Sequence, residues 1–524
     1  MSKPLFQYGA AQLSIGLALE IARGQRQGIL DPQSISKIQQ SRQLVEQVVS
    51  EERIVYGVTT GFGPLCTTFV SGRLSNELQH NLLKSHSVGV GPAIPPEIAK
   101  LMLILKVQAL AQGYSGIALS TLERILWHID EDVIPVVPAQ GSVGASGDLA
   151  PLSHLFLPLI GLGKVYHQGI LKPAAEVLQQ YQLKPLQLQA KEGLALINGT
   201  QFMSAYGVAV AARLQSCLDQ ADIIAAMMLE ALTGSAKPFH PDLHRLRPHL
   251  GCSYVAERLR HLLAESAIMK SHEDCARVQD PYSLRCIPQV HGASRQAWLH
   301  LKEAIHTEIN SVTDNPILLD EVNIISGGNF HGQPIALPLD YATMAAAELG
   351  NISDRRIYLS IEGKMPGVPK LLMEEVGLNS GFMIPQYTTA ALVSENKTLC
   401  FPASVDSIPT SLGQEDHVSM GSISGRKAYQ VIENLEQILG IELLYAAQGL
   451  DFQRPLTSSP LVEACYMAVR DQVGHRTADT LFVDEIDLLI SMVRTETLTS
   501  ITEEVAQAYQ LSFKNKQHEV FGLY

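Results

Sequence analysis

The sequence predicts a mainly α-helical protein, built as a long multi-helix bundle. Helical patterns dominate the chain, several exceed 20 residues, and strand patterns are sparse. A long helix that is apolar on more than one face needs neighbours all round. We therefore expect a bundle that is shared between subunits. The clearest helical patterns cover residues 101–112, 117–129, 201–232, 295–311, 340–362, 421–450 and 477–510.

One segment alternates like a strand instead. Residues 163–171, GKVYHQGIL, alternate around a turn and predict a small hairpin. The least helical stretch runs from 133 to 200 and holds the most unusual sequence of the chain. We therefore divide the chain into an N-terminal domain, residues 1–200, which carries the loops around positions 56 and 146, and a long-helix domain, residues 201–524.

The composition argues against several classes of protein. Among 524 residues, 39 are basic and 52 acidic, so the formal charge is −13, and we expect no nucleic-acid partner. Seven scattered cysteines without a CxxC pair predict reduced thiols rather than disulfides or a zinc site. The N-terminus lacks a basic flank followed by a long apolar run, so we expect no signal peptide and a cytoplasmic protein.

The segment 202–232 is apolar enough to resemble a membrane span. It also carries Arg213, Asp219, Asp222 and Glu230. Each of these ions would cost roughly 2.5–3.5 kcal/mol at a bilayer centre. The segment therefore predicts a buried bundle helix, and we expect no membrane partner.

Residues 141–154, GSVGASGDLAPLSH, carry the strongest indication of chemistry. Glycines at every third position are typical of a tightly turned loop, and no Lys-Ser/Thr pair follows them to make a phosphate loop. In a covalent interpretation, the amide nitrogen of Gly147 attacks the carbonyl carbon of Ala145. Loss of water and dehydration of Ser146 then leave a methylidene-imidazolone (MIO), a strong electrophile. Gly147 tolerates the strained backbone that this ring needs. Ala-Ser-Gly alone is common, so the plain loop stays open.

The whole 14-residue string resembles the signature of the aromatic amino acid ammonia-lyases: the histidine, phenylalanine and tyrosine enzymes and the related aminomutases. The resemblance implies a nearly all-helical fold with an MIO-bearing N-terminal domain, a homotetramer with 222 symmetry, and active sites built from three chains. It implies an MIO cofactor without an external cofactor or metal. The GSSxMPxKxN string of the similar fumarase and argininosuccinase folds is absent. The other matching strings are YGVTTGFG at 56–63, SHSVGVG at 85–91, GLALINGTQ at 193–201, VQDPYSLRC at 278–286, TDNP at 313–316, GGNFHG at 327–332, SENK at 394–397 and QEDHVSMG at 414–421.

The family's reaction removes ammonia and a weakly acidic β-proton, so it needs a base and a cation for the substrate carboxylate. The resemblance implies that Tyr56 is the general base, with Tyr282 as the next candidate. A phenol titrates near 10, so we expect helix N-termini at the site to lower the pKa of Tyr56. Arg285 is expected to bind the carboxylate with its planar fork. Asn198 is expected to hydrogen-bond the carboxylate or the amino group, and Gln279 to line the site around the MIO.

Two further residues have a plain structural interpretation beside the functional one. Phe330 is expected to pack near the cofactor, and a core aromatic is an almost equally good interpretation. Asp148 is expected to assist ring closure, to cap the helix that follows Gly147, or to do both.

Three residues bear on the choice of amino acid. Ser85-His86 matches the pair of the histidine enzymes, although some tyrosine enzymes carry it too. Glu415 stands where phenylalanine and tyrosine enzymes usually carry Gln. A carboxylate in an apolar pocket needs a partner, and an imidazole N–H supplies one whereas a phenyl ring cannot. We therefore expect histidine as substrate, with His86 contacting the other ring nitrogen and urocanate as product.

Departures from the histidine pattern keep an alternative open. Leu412-Gly413 replaces the usual Ala-Asn before QEDH, His291 stands where we expect Met, and residues 363–375 match loosely. The alternative is a tyrosine or phenylalanine ammonia-lyase, or an aromatic amino acid 2,3-aminomutase.

A metallohydrolase is the alternative from another class. His240, His244 and His249 are its possible ligands. Their spacing fits no standard zinc motif, and prolines interrupt the helix that would align them. We therefore expect no metal.

Overall fold

The computed structural model describes residues 3–273, 277–510 and 520–524, and helices make up most of it. The fold is mainly helical, as the sequence predicts. The helices are α1 Ile15–Ala22, α2 Pro32–Ser50, α3 Gly72–His86, α4 Pro96–Leu110, α5 Leu119–Asp130, α6 Leu149–Phe156, α7 Ala174–Gln180, α8 Glu192–Ile197, α9 Gln201–Ala231, α10 Pro241–Leu246, α11 Leu250–Leu262, α12 Ala267–Ser271, α13 Tyr282–Arg285, α14 Ile287–Glu308, α15 Gln333–Ile361, α16 Met383–Leu399, α17 Gly421–Asp451, α18 Pro460–Gln472, α19 Phe482–Arg494 and α20 Thr497–Ala508.

The strands are short and lie at the periphery of the helices. The predicted hairpin at 163–171 is confirmed, and a third strand joins it to make an antiparallel sheet. The strands are β1 Leu5–Tyr8 parallel to β2 Gln27–Leu30, β3 Val90–Ala93 antiparallel to β5 Pro138–Gln140, β4 Ile134–Pro135 with β6 Lys164–His167 and β7 Ile170–Pro173, and β8 Ile317–Leu318 with β9 Ile324–Ile325.

Helix α9 is the centre of the bundle. It spans Gln201–Ala231, within one residue of the predicted 201–232, and almost all of its side chains are buried. It packs against α17 and α14, and α15 packs against α17 and α14 in turn. A helix buried on every face satisfies its apolar surface only inside such a bundle. Buried apolar side chains from both sides of residue 200 form one continuous core, and the domain boundary at 200 stays a prediction.

Four of the predicted helical segments differ from the structure in their bounds. The first, predicted at 101–112, is α4, which begins at Pro96. The pattern at 477–510 predicts one helix, but α19 and α20 are separated at Glu496, whose φ is +57°. No glycine or proline marks this break, so the apolar pattern runs through it. Helices α14 and α15 begin several residues earlier than predicted because Pro288 and Pro334 occupy their first turns, where a missing N–H costs little.

A buried ionic network ties the four bundle helices together. His291, the departure noted above, is fully buried; its Nδ1 lies 2.8 Å from Asp222 Oδ1 and its Nε2 lies 3.3 Å from Arg356 Nη1. Arg356 makes a two-pronged pair with Glu442, at 2.5 and 3.1 Å. Burial acts to raise the pKa of Asp222, but Arg295 and His291 outweigh it and hold that pKa below its ordinary value. The charged groups of α9 therefore have partners inside the protein.

Two expectations from the composition, on membrane spans and on cysteines, concern this architecture. In residues 3–273, 277–510 and 520–524, no helix is long and apolar enough to cross a membrane. Six cysteines in these ranges are free thiols, and the seventh, Cys275, lies outside the described residues.

Glu442→Gln tests the network. The substitution keeps the shape but leaves the Arg356 guanidinium buried without a counter-charge, so we expect the free energy of unfolding to fall by about 3–5 kcal/mol. Glu362→Gln is the matched control, because its partner Lys364 is largely exposed and such pairs contribute about 0–1 kcal/mol. Urea unfolding of both variants measures the difference. Equal losses would show that the buried pair adds no more than a surface pair.

Candidate active site

The loop at residues 145–147 is closed against Gly199. Ser146 and Gly147 both have left-handed backbones, with φ of +53° and +79°. The Asp148 N–H donates to Gly199 O at 2.8 Å, and the Gly199 N–H donates to Ser146 O at 3.4 Å. A Cβ added to Gly147 would lie 2.1 Å from Gly199 O. A side chain at position 147 would collide with this carbonyl oxygen, so the tight left-handed turn requires glycine there.

Asp148 is fully buried and joins this loop to the bundle. Its Oδ1 accepts from Ser142 Oγ at 3.0 Å, and its Oδ2 accepts from the Met203 N–H at 3.0 Å. Burial raises its pKa to about 7, against the effect of these hydrogen bonds. The side chain makes no cap hydrogen bond to α6, so the expected cap on that helix is wrong. The carboxylate instead caps the first turn of α9, because that turn presents free N–H groups to it.

Helix N-termini converge on the loop. Helix α6 starts directly after Asp148. A Cβ on Gly332, before α15, or on Gly421, at the start of α17, would contact the Met203 side chain in the first turn of α9. The Met420 N–H donates to Val143 O at 3.0 Å. The positive ends of these helices therefore face the loop and favour negative charge there.

Two adjoining cavities, of about 370 and 280 Å³, open beside Ser146. The first is the more polar, and Phe330 and Ala145 both line it. The second is walled largely by apolar side chains and includes Ser85, His86 and Asn198. The residues common to both are Tyr56, Gly63, Ser146 and Glu415.

Tyr56 lies half-buried between the cavities. Its hydroxyl oxygen accepts a hydrogen bond from the Gly63 N–H at 3.2 Å. Burial raises the pKa of Tyr56, the Gly63 bond opposes this, and the charge of Glu415 raises it further. The expectation of a lowered pKa is therefore wrong for the single chain, because a nearby carboxylate and desolvation outweigh the donor.

Glu415 and His86 form the polar part of the second cavity. Glu415 Oε1 accepts from Ser146 Oγ at 3.1 Å, while Oε2 accepts from Thr410 Oγ1 and Ser411 Oγ at 2.9 and 2.8 Å. His86 Nδ1 lies 2.9 Å from Leu82 O. Burial lowers the pKa of His86, only partly opposed by the Leu82 carbonyl and Glu415. The Leu82 carbonyl can only accept, so Nδ1 of His86 carries the proton in this bond, and in the uncharged ring Nε2 is the acceptor.

The side chains around these two groups hold them in place. Ser85 Oγ lies 3.0 Å from His86 Nδ1 and supports the ring. Asn198 is buried, and in the described part of the chain its Oδ1 has no hydrogen-bond partner. An unpartnered buried acceptor in a cavity wall is available to a ligand donor.

Gln279, Tyr282 and Arg285 are not brought to Ser146 within the chain. Gln279 and Arg285 line a separate cavity of about 380 Å³, which among the described residues shares no lining residue with the two cavities above. The Arg285 guanidinium stacks 4.5 Å from the ring centre of Tyr282, and its Nε donates to Asp280 O at 3.0 Å. Tyr282 is 70% exposed. Within one chain, Tyr56, the expected base, and Arg285, the expected cation for the substrate carboxylate, therefore line different cavities.

Sequence reasoning missed several supports of the site. Thr410 and Ser411, which hold Glu415, precede the QEDH string without a pattern of their own. Asn315 lies in the matching string TDNP, and its Oδ1 accepts from the Gly327 N–H at 2.8 Å, bracing the segment that carries Phe330. Lys106 donates to Asn198 O from within the apolar helical pattern at 101–112. A single lysine in that pattern was the only indication of this contact.

Two of the three histidines of the metallohydrolase alternative, His240 and His244, make separate contacts. His240 Nδ1 accepts from the Asp242 N–H at 3.2 Å, and His244 Nε2 lies 3.1 Å from Pro238 O. Within the described ranges, no group of three or more His, Cys, Asp or Glu side chains is arranged to hold a metal ion.

Known proteins share this sequence and fold over nearly the full chain. Histidine ammonia-lyase of Myxococcus xanthus (strain DK1622) is 45% identical over 494 residues, covering 94% of this chain and 97% of that protein. Histidine ammonia-lyase of Homo sapiens is 44% identical, covering 94% of this chain and 76% of that protein. The crystal structure of histidine ammonia-lyase from Trypanosoma cruzi has a TM-score of 0.88 at 39% identity, over 96% of this chain and 95% of that chain. That of tyrosine aminomutase from Streptomyces globisporus has a TM-score of 0.91 at 36% identity, over 96% and 98%.

A family model described as aromatic amino acid lyase matches residues 13–471. Together with these near-full-length identities, this match shows that the chain belongs to the aromatic amino acid lyase family.

Proposed function

We propose that the protein is a histidine ammonia-lyase, which eliminates ammonia from L-histidine to give trans-urocanate. The observation that carries this proposal is the position of Glu415. Its Oε1 lies 3.1 Å from Ser146 Oγ, the hydroxyl that leaves as water when the MIO forms, so the carboxylate stands beside the cofactor position in a cavity that His86 also lines. A carboxylate and a ring acceptor can bind the two N–H groups of an imidazolium. The high identity to enzymes named histidine ammonia-lyase supports the same choice.

The proposed cofactor is an MIO formed from Ala145, Ser146 and Gly147, with no external cofactor and no metal. The residues present fit this group: the left-handed turn at 146–147 is tight enough to exclude a Cβ at Gly147, and Asp148 lies behind it with a pKa raised to about 7 by burial. Near that pKa, Asp148 is suited to exchange protons during ring closure. The MIO supplies an electrophile that activates the substrate for loss of ammonia.

Tyr56 takes the β-proton in this proposal. The Gly63 N–H favours its ionised form, while burial and Glu415 oppose it. An imidazolium bound at Glu415 offsets the carboxylate charge. Binding of histidine therefore lowers the pKa of Tyr56 at the moment when a base is needed.

Assembly completes the site in the same proposal. A second copy of the chain supplies the segment with Gln279, Tyr282 and Arg285, and the active protein is a homotetramer with shared sites. Exposed apolar side chains on α15 and α16 support this assembly, because a monomer rarely exposes such patches; they include Leu337, Tyr341, Met344, Ile384 and Tyr387. We place the tetramer in the cytoplasm, without nucleic-acid or membrane partners.

The fold does not distinguish a histidine ammonia-lyase from the alternative, a tyrosine or phenylalanine lyase or an aminomutase. A tyrosine aminomutase superposes on this chain as well as a histidine ammonia-lyase does. Glu415 favours histidine over phenylalanine, because an imidazole N–H can donate to the carboxylate whereas a phenyl ring has no donor. Incubation of the purified protein with histidine, tyrosine and phenylalanine, with products identified by mass, tests the proposal. Conversion of tyrosine in preference to histidine would contradict it.

Ser146→Ala tests the cofactor. We expect the intact mass of the wild-type chain to be lowered by two waters and that of the variant not to be. Activity should fall by several orders of magnitude because the electrophile is gone, while the oligomeric mass and thermal unfolding stay near wild type. A variant with wild-type turnover would exclude the MIO.

Tyr56→Phe and Arg285→Ala test the shared site. Each variant alone should be inactive. If one site takes Tyr56 and Arg285 from different chains, co-expression at equal levels should restore about a quarter of the wild-type activity, since each residue is intact in half of the chains. A chain that carries both changes, expressed alone, is the control. No recovery in a mixed tetramer would place both residues in one chain's site.

Glu415→Gln tests the substrate. An amide cannot make the charge-assisted bond, worth roughly 1.5–3 kcal/mol, so kcat/KM for histidine should fall about 10- to 150-fold. Because the Glu415 charge raises the pKa of Tyr56, its removal lowers that pKa, and the rising limb of kcat/KM should move to lower pH. Glu374→Gln, an exposed carboxylate, is the control. An unchanged ratio of kcat/KM for histidine and tyrosine would sink the assignment.

A further inference from the structure

Lys106 is a buried cation that the mechanism above does not use. It lies in the middle of α4 and is 1% exposed. A buried ammonium is costly unless it is hydrogen-bonded. Burial lowers the pKa of Lys106 to about 7; Asp314 opposes the shift and Lys191 adds to it. Asp314 is itself paired with Lys191 at 2.6 Å, and among the described residues no carboxylate forms an ion pair with Lys106.

The ammonium instead binds the segment that braces the reactive loop. Lys106 Nζ donates to Asn198 O at 2.5 Å and lies 3.4 Å from Gln201 Oε1. Asn198 lines the second cavity, and among the described residues its buried Oδ1 has no hydrogen-bond partner. Gly199, the next residue, donates to Ser146 O and accepts from the Asp148 N–H.

One peptide plane connects these contacts. The carbonyl of Asn198 and the N–H of Gly199 belong to the same planar peptide unit and point in opposite directions. A donor that fixes the carbonyl therefore also fixes the N–H. Here Lys106 Nζ donates to the Asn198 carbonyl, and on the opposite side of the peptide unit the Gly199 N–H donates to Ser146 O. Rotation of this plane would move both the Asn198 side chain and the edge against which the 145–147 turn is closed.

We propose that Lys106 is a positioning residue, which holds the Asn198–Gly199 peptide so that the turn at 145–147 closes and Asn198 faces the substrate. The inference rests on the proposed function, since it concerns the maturation and turnover of that site. The ammonium acts through the backbone and touches neither the substrate nor the MIO atoms.

The test compares Lys106→Met with Lys106→Arg. The Met side chain keeps an unbranched shape without a donor, and Arg restores a cationic donor. Two quantities are measured on each assembled protein: the share of chains whose mass is lowered by two waters, and kcat for histidine per matured chain. For Lys106→Met we expect the share to fall by about half or more, or kcat per matured chain to fall about tenfold or more, with KM within about threefold. Lys106→Arg should recover most of the loss.

Lys100→Met is the matched control. Lys100 lies on the same helix but pairs with Asp132 at 2.8 Å and lines a separate cavity, which among the described residues shares no lining residue with the two beside Ser146. Both quantities should stay at wild-type values. If Lys106→Met does not assemble, Lys106→Leu, which also lacks a donor, takes its place. Wild-type values for the assembled Met or Leu variant would overturn the inference, as would equal losses in assembled Arg and Met variants. A wild-type protein with unaltered mass, or inactive on histidine, would instead overturn the proposed function.

Discussion

The hydrogen bond between the Asp148 carboxylate and the first turn of α9 is the interaction on which the site depends. Helix α9 is buried on all sides, so its N-terminus is as rigidly placed as the core. Asp148 transfers that rigidity to the loop, because its other oxygen holds Ser142 and its N–H holds Gly199. A turn with two consecutive left-handed residues is strained, and such strain persists only where the surroundings over-determine it. Desolvation of the carboxylate is the cost of this arrangement.

The long buried helices were the most predictable part of the fold. Helices α9 and α17 agree with the prediction to within one residue at each end, because continuous apolar burial leaves no competing pattern. Predicted helix boundaries were wrong where the helix begins or ends for a reason that hydrophobic periodicity does not show. The break at Glu496 depends on one left-handed residue without glycine or proline, and α14 begins in a proline-containing first turn that reads as a loop.

The sequence indicated residues that form the site, but not how they are arranged in space. Tyr56, Ser146, Asn198, His86 and Glu415 come from distant parts of the chain and line one cavity. Their hydrogen-bond partners had no local pattern. The separation of Arg285 from this group follows from how elements pack in three dimensions, and neither spacing nor hydropathy carries that information.

This separation also has an electrostatic meaning. In one chain, the charged groups that act on Tyr56 include the carboxylate of Glu415, which raises the pKa of a residue that must accept a proton. A nearby cation would lower it. Arg285, already stacked on Tyr282, is the cation expected at the site, and the chain holds it in another cavity. If a neighbouring copy brings Arg285 to Ser146, assembly supplies both the carboxylate contact and the positive charge that the base lacks. Without that positive charge, the Glu415 carboxylate that selects imidazole would keep Tyr56 protonated. On this proposal, selectivity for imidazole and sites shared between chains therefore depend on each other.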